Sequence, residues 1–463
     1  MSSLVLGMTK TLRNLFILDP NYKLKVGMKH YFYLFIIFFS ITLLINACVP
    51  VQNTQSSANN TYYPDLEFSN KSYRENIKTV QLVHFKGNQM VSTDNPVIEL
   101  GRNEKLLLTF DDINDEQQQY QVKILHCDKD WKNESNIQSM DYLEEYNQFP
   151  IREFEFSFDT KMGYIHYEFQ LPRVSLSGNY LLVVYQNNNE DDIVLSERFM
   201  VYEDKTGFDY KMVPSNVVSK RRTHQELEFE LLLNRINVIN AGSDIYPVIR
   251  QNNNWLFAKA APDPIRVLDG NKRLIYKFYN GQLSFPGNNE FRFIDLTTVN
   301  FKGNNVANIN KETKPITITA RPDGIRSSEA YREWEDRNGA FVIGNRERPN
   351  TPLVSDYFLT NFQLDAPKEL GDIYLVGEFN NWKLNNSNRM KYNPNTGNYQ
   401  NSFLMKQGYY EYTYYVAGEE VNPIDGSHLN TENIYDILVY YSSPQLRYDR
   451  LIGYTQFNSR AAQ

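Results

Sequence analysis

Cysteine is nearly absent: Cys48 and Cys127 are the two in 463 residues, too few for the disulfide lattice of a small secreted scaffold. Long apolar runs are scarce too. The stretch Tyr31–Ile45 holds 15 residues, short of the roughly 20 that a membrane-crossing helix needs. Positive charge is in deficit. The formal net charge is −7, although the first 47 residues carry five Lys or Arg against one Asp, so the remainder is more acidic still. Such a body disfavours nonspecific binding to nucleic acid, and no nucleic-acid partner is expected. The familiar enzyme signatures are also missing: no Gly-x-Ser-x-Gly elbow, no P-loop, no His-Glu-x-x-His and no dinucleotide fingerprint occurs. Paired carboxylates for glycoside hydrolysis are not readable at this level, because their separation is a three-dimensional quantity. No catalytic residue, cofactor or metal is therefore assigned, and the reading is of a protein that is not an enzyme.

Aromatic residues are abundant, with 33 Tyr and 28 Phe. They fall at alternate positions in short runs, as in Glu153-Phe-Glu-Phe-Ser-Phe158. Strict alternation marks strands with one buried and one wet face. Seven such runs lie at Ile77–Phe85, Lys105–Phe110, Tyr120–Cys127, Glu153–Phe158, Tyr164–Leu171, Gly178–Tyr185 and Ile193–Val201. Turn-rich connections such as Asn187-Asn-Asn-Glu-Asp-Asp192 separate them. Seven strands at this spacing predict an immunoglobulin-like sandwich over residues 73–205.

The stretch His126-Cys-Asp-Lys-Asp-Trp131 carries the residue types of a chemical site. His126, Cys127, Asp128, Asp130 and His166 include zinc-ligand types. On a strand, however, His126 and Cys127 point to opposite faces and cannot chelate one ion without a bulge. A papain-type Cys–His pair needs a helix-borne cysteine. The expectation is structural: Cys127 fills a core position, Trp131 covers the sandwich edge, and His126 or His166 satisfies a backbone group.

Residues 1–47 read as a targeting segment, with Met28 as a plausible true start. Met28-Lys-His30, the apolar run and Ile45-Asn-Ala-Cys48 follow the order of a secretory signal, and the junction resembles a bacterial lipobox. That resemblance implies lipidation of Cys48, an anchor in the membrane, and no disulfide partner for Cys127. Val49 is not the acidic residue associated with inner-membrane retention, and Val49-Pro-Val-Gln-Asn-Thr54 lacks an acidic export run. A periplasm-facing lipoprotein of the outer membrane is expected. Residues 48–72 read as a flexible tether.

Beyond residue 205 the pattern stays β. A middle β domain is expected over 206–323, with strands at Leu227–Leu233, Ile245–Arg250, Trp255–Lys259, Leu274–Tyr279, Phe291–Leu296 and Pro315–Ala320. Lys220-Arg-Arg222 reads as a solvated basic cluster. A linker is expected over 324–352, with a short helix at Ser327–Arg337. A last sandwich is expected over 353–450. Its run Ile373-Tyr-Leu-Val-Gly-Glu-Phe-Asn-Asn-Trp382, with Gly397-Asn-Tyr399 and Gly408–Gly418, is similar to the glycogen-binding module of starch-active enzymes. Trp382 stands at the first sugar-stacking position of that module. Thr413 replaces the expected Lys, and no second Trp follows Gly418. The overall expectation is all-β: tandem immunoglobulin-like β-sandwich domains after an N-terminal lipoprotein signal.

One further resemblance spans the first sandwich. His126–Trp131, Tyr142-Leu143, Ile151, Phe154, Ser157, Thr160, Tyr164, His166-Tyr167, Pro172, Ser177-Gly-Asn-Tyr180 and Arg198-Phe-Met-Val201 resemble, in order, the type IX secretion system plug protein family. The resemblance implies a non-enzymatic periplasmic partner of the outer-membrane β-barrel translocon that closes the channel's periplasmic opening. The alternative is a glycan-binding lipoprotein that uses Trp382 in the last module.

Overall fold

The computed structural model describes residues 63–86, 89–91, 95–114, 116–268, 272–348 and 352–462. The signal segment, Cys48 and the tether up to residue 62 lie outside them. The regular structure is almost entirely strand, arranged in six sheets that pair into three sandwiches.

The first sandwich follows the alternation pattern. One sheet orders Lys71–Ser72, Asn189–Tyr202, Gly178–Gln186, Tyr120–Cys127 and Phe149–Pro150, with Val97–Glu99 parallel to Asn189–Tyr202. The facing sheet orders Gln89–Val91, Ile77–Lys86, Lys105–Asp112, Ile165–Gln170 and Glu153–Phe156. Leu106, Leu108, Phe110, Val122, Ile124, Tyr167 and Leu182 fill the space between them. The run Gly178–Gln186 does not alternate, because both its faces are covered. Tyr180, Leu182 and Val184 face the sandwich interior. Leu181 and Val183 face outward onto Leu438, Tyr440 and Leu451 of the second sandwich. A strand buried on both sides reads as a continuous apolar run.

The second sandwich is discontinuous in sequence. One sheet holds Gly207–Pro214, His224–Leu232, Arg273–Tyr276 and Arg266–Leu268, with Ser284–Pro286 on His224–Leu232. The other orders Asn254–Ala260, Ile245–Gln251, Ile434–Tyr441 and Arg450–Asn458. The C-terminal hairpin thus returns to complete the middle domain, with Ile249 opposite Ile437.

The third sandwich is inserted within the second. Its larger sheet orders Val306–Asn310, Ile316–Ala320, Tyr357–Asp365, Asn398–Lys406 and Lys391–Asn393. Its smaller sheet centres on Gly408–Val416, flanked by Arg292–Asp295, Phe341–Ile343 and Ile373–Val376. Ile318, Phe358, Phe362, Leu375 and Tyr414 form its core.

These pairings redraw the boundaries read from sequence. Strands from 292 to 324, expected in a middle domain over 206–323, belong to the third sandwich. Strands from 434 to 458, partly assigned to a last domain over 353–450, belong to the second. The end of the expected 48–72 tether is also part of the fold, since Lys71–Ser72 pairs with Ser196 and Leu195. The 324–352 linker supplies a strand, Phe341–Ile343. No helix forms over Ser327–Arg337, because its side chains are anchored elsewhere. Trp334 Nε1 donates to the Phe291 carbonyl at 3.1 Å, Tyr331 binds Glu290, and the Arg337 amide donates to Glu411 at 2.8 Å.

Candidate functional site

The stretch His126–Trp131 disperses its reactive groups. His126 is fully buried, with Nδ1 2.8 Å from Ser135 Oγ and Nε2 3.2 Å from the Ser177 carbonyl. Burial lowers its pKa to about 4, so the ring is neutral at physiological pH. Cys127 is also fully buried, and burial pushes its thiol well above the ordinary value; it is no thiolate nucleophile. The Asp128 carboxylate accepts the amides of Lys132 (2.8 Å) and Asn133 (3.1 Å). Asp130 pairs with Lys129 at 2.8 Å on the surface. His166 Nδ1 lies 2.6 Å from Asp111. Among the described residues no group of three or more His, Cys, Asp or Glu is placed to hold a metal ion. Trp131 does not cap a free edge. It lies in a tight turn with φ +58°, buried between the first and second sandwiches against Trp255 (ring centroids 5.7 Å).

The three sandwiches meet through buried polar locks that nothing in the sequence pattern marks. Between the first and third, Asp111 is fully buried and receives Lys406 Nζ at 2.6 Å, His166 and the Tyr357 hydroxyl. Despite burial, Lys406 and His166 hold the Asp111 carboxyl below the usual range. Between the first and second, Asn95 donates to Asp436 at 2.9 Å, and Asp436 also receives Nε of the buried Arg250 at 3.0 Å. Tyr440 donates to Asn179 at 2.8 Å, and Arg450 pairs with Glu203. Lys220, from the basic cluster, pairs with Glu420 of the third.

A cleft of about 820 Å³ opens where the three bodies converge. Arg198, Arg250 and Lys383 line one part of it, and Trp255 stands among them. Both guanidiniums stack on Trp255, at 5.0 Å for Arg198 and 4.4 Å for Arg250, and Arg198 also lies 4.4 Å from the Trp131 ring. Glu335, Asp336, Glu378 and Glu411 line it as well. Burial and the nearby Asp336 charge raise Glu411 to about 8, and burial raises Glu378 to about 7. Glu411 is already engaged by the amides of Arg337 and Gly339 (2.8 and 3.0 Å).

Trp382 borders the same cleft but does not present a sugar-binding face. It is 9% exposed, stands edge-on to Phe291 at 5.7 Å, and its six-membered ring abuts Gly339, where even a Cβ would collide. Thr413, at the position of the module's lysine, donates to Asp425 at 2.8 Å. Trp382 and Thr413 are committed to packing and to a hydrogen bond within the chain.

The fold and this geometry define an all-β, multi-sandwich protein whose chemistry-bearing side chains are committed to packing and to joints between domains. Residues 77–203 match the family model described as the type 9 secretion system plug protein 1st domain. That segment is the first sandwich, and the match points to a role in type IX secretion for a non-catalytic, envelope-associated protein. The chain is also similar to a solved hypothetical protein from Parabacteroides merdae ATCC 43184. The two are 28% identical with a TM-score of 0.79, over 85% of this chain and 100% of the other. No curated protein matches the chain.

Proposed function

We propose that the protein is a lipoprotein, anchored through Cys48 and facing the periplasm, that binds the outer-membrane β-barrel translocon of the type IX secretion system and closes its periplasmic opening. The match of residues 77–203 to the plug family carries this reading. The joints between sandwiches support it. A stopper must resist deformation, and the buried Asp111–Lys406 pair between the first and third sandwiches and the buried Asn95–Asp436 hydrogen bond between the first and second fix the orientation of one sandwich on the next. Displacement by cargo then requires that cargo favour the open channel more strongly than the plug favours the closed one. Deleting the protein should leave secretion running but raise outer-membrane permeability, read as increased sensitivity to vancomycin. Unchanged sensitivity, or abolished secretion, would contradict the role.

A further inference from the structure

One guanidinium lining the cleft stands outside any ion pair. Arg198 makes no ion pair among the described residues, although it is largely enclosed. Its Nε and Nη2 both donate to the Phe68 carbonyl, leaving Nη1 without a partner. Its sequence neighbour Glu197 acts on it only at a distance and forms no ion pair with it, because successive strand residues point to opposite faces. Leu182, opposite Glu197, lies in the sandwich interior, whereas Leu181, opposite Arg198, faces the second sandwich. Arg250 lies beside it, 99% buried, with Nε and Nη2 committed to Asp436 and Nη1 again without a partner. A largely desolvated guanidinium without a paired carboxylate, as at Arg198, is costly, and an incoming anion relieves that cost.

The cleft is also bordered by an open sheet edge. Asn254–Ala260 pairs only with Ile245–Gln251, so one row of its backbone groups has no strand partner. Sheet edges are ordinarily protected by charge, proline or a covering loop. Here Leu256 and Phe257 are 45% and 38% exposed. The strand's single charged residue, Lys259, is turned onto the Ser284 carbonyl. Leu256 and Trp255 line the cleft with Arg198 and Arg250, so the free edge and the unpaired cation share one space.

From this juxtaposition we propose that the cleft is a docking groove for an extended, carboxylate-bearing peptide segment of a partner protein. The segment adds as a strand to the edge Asn254–Ala260, and its carboxylate meets Nη1 of Arg198 and Arg250. Main-chain pairing supplies affinity and the side-chain contact supplies selectivity. Glu335, Asp336, Glu378 and Glu411 also line the cleft; burial pushes Glu378 and Glu411 up to about 7 and 8, which lessens their negative charge near neutral pH, and none of the four pairs with Arg198. The chain's own residues 49–62 contain no Asp or Glu and do not supply the carboxylate. This inference does not rest on channel closure; a peptide that binds here while no β-barrel copurifies leaves it standing.

The test is selection of random octapeptides displayed on phage against the full chain in detergent, followed by anisotropy titration of a selected peptide. Selected peptides should share one Asp or Glu among alternating apolar residues. Changing that residue to its amide should weaken binding about tenfold, the scale of one charge-assisted hydrogen-bonded contact. Arg198→Gln should do the same. Leu256→Asp, at an exposed position, should abolish binding with an unchanged melting temperature. Selection without an acidic residue would overturn the proposal. So would binding indifferent to Leu256→Asp, or displacement of the peptide by inorganic phosphate as readily as by unlabelled peptide, which would reduce the site to a simple anion hole.

Discussion

Asp111→Asn is the perturbation that most severely tests the rigid joint between the first and third sandwiches. Asp111 lies at the end of the strand Lys105–Asp112, and its counter-charge Lys406 ends the strand Asn398–Lys406 of the other body. Both are essentially inaccessible, at 0% and 1% exposure. The ammonium lies 2.6 Å from the carboxylate and 4.2 Å from the Tyr164 ring centroid. The variant keeps the shape of the side chain but removes the charge, leaving an ammonium with no anion in a site closed to water. Breaking a buried pair in this way costs about 3–5 kcal/mol. Urea unfolding followed by tryptophan fluorescence should show that loss as a lower midpoint. Lys406→Met removes the ammonium but leaves the carboxylate with His166 and the Tyr357 hydroxyl, so it should be destabilising by less than Asp111→Asn. The double variant removes both charges and should be more stable than the sum of the single losses implies, by about 1–3 kcal/mol of coupling. Single variants within about 1 kcal/mol of the parent, or strict additivity, would refute the claim that this pair joins the bodies.

Other consequences follow from the same geometry. Glu197 is buried without a hydrogen bond among the described residues, and burial raises its pKa to about 8; Glu378 and Glu411 are raised as well. Because these folded-state values exceed the unfolded one, their stabilising protonation is complete below about pH 4 and is lost as pH rises through about 8. The melting temperature should therefore fall between about pH 5 and pH 9, less steeply in Glu197→Gln, and a flat or rising profile in the parent would contradict this. Trp131→Ala removes a buried ring that packs on Trp255 and Arg198 and should cost about 3–5 kcal/mol in urea unfolding. Stoichiometric zinc lost with His126 or Cys127 would contradict the structural role given to that stretch. Cys48→Ser should leave the protein soluble in the periplasm or as an unprocessed precursor, whereas mass spectrometry showing an unmodified Cys48 at the mature N-terminus would argue against the anchor.

The strands were legible wherever one face meets water, because alternation records that difference. All seven runs expected in the first sandwich are strands, from Ile77–Lys86 to Asn189–Tyr202. Strand partnership was not legible. Nothing local in Ile434–Tyr441 shows that it pairs with Ile245–Gln251 rather than with the strand Gly408–Val416 just before it. The 3D insertion of one sandwich into another is decided by cores assembled across nearly two hundred residues. The joints were hidden for the same reason. Asp111 and Lys406 each read as an ordinary strand residue until the first and third sandwiches bring them together. In the conspicuous string His126–Trp131, His126 and Cys127 end a strand and are buried, whereas Asp128, Asp130 and Trp131 lie in the turn that follows. The helix expected at Ser327–Arg337 failed because Tyr331 and Trp334 gain partners in the third sandwich and its surroundings that outweigh a weak local propensity.

The central claim, association with a secretion channel, is tested most directly by purifying the tagged full chain from detergent-solubilised outer membranes and identifying what copurifies. The expected result is one large β-barrel translocon at near-stoichiometric yield from cells in which cargo is absent, reduced when cargo is overproduced. Failure to recover any large β-barrel under conditions that preserve the folded protein would contradict the account.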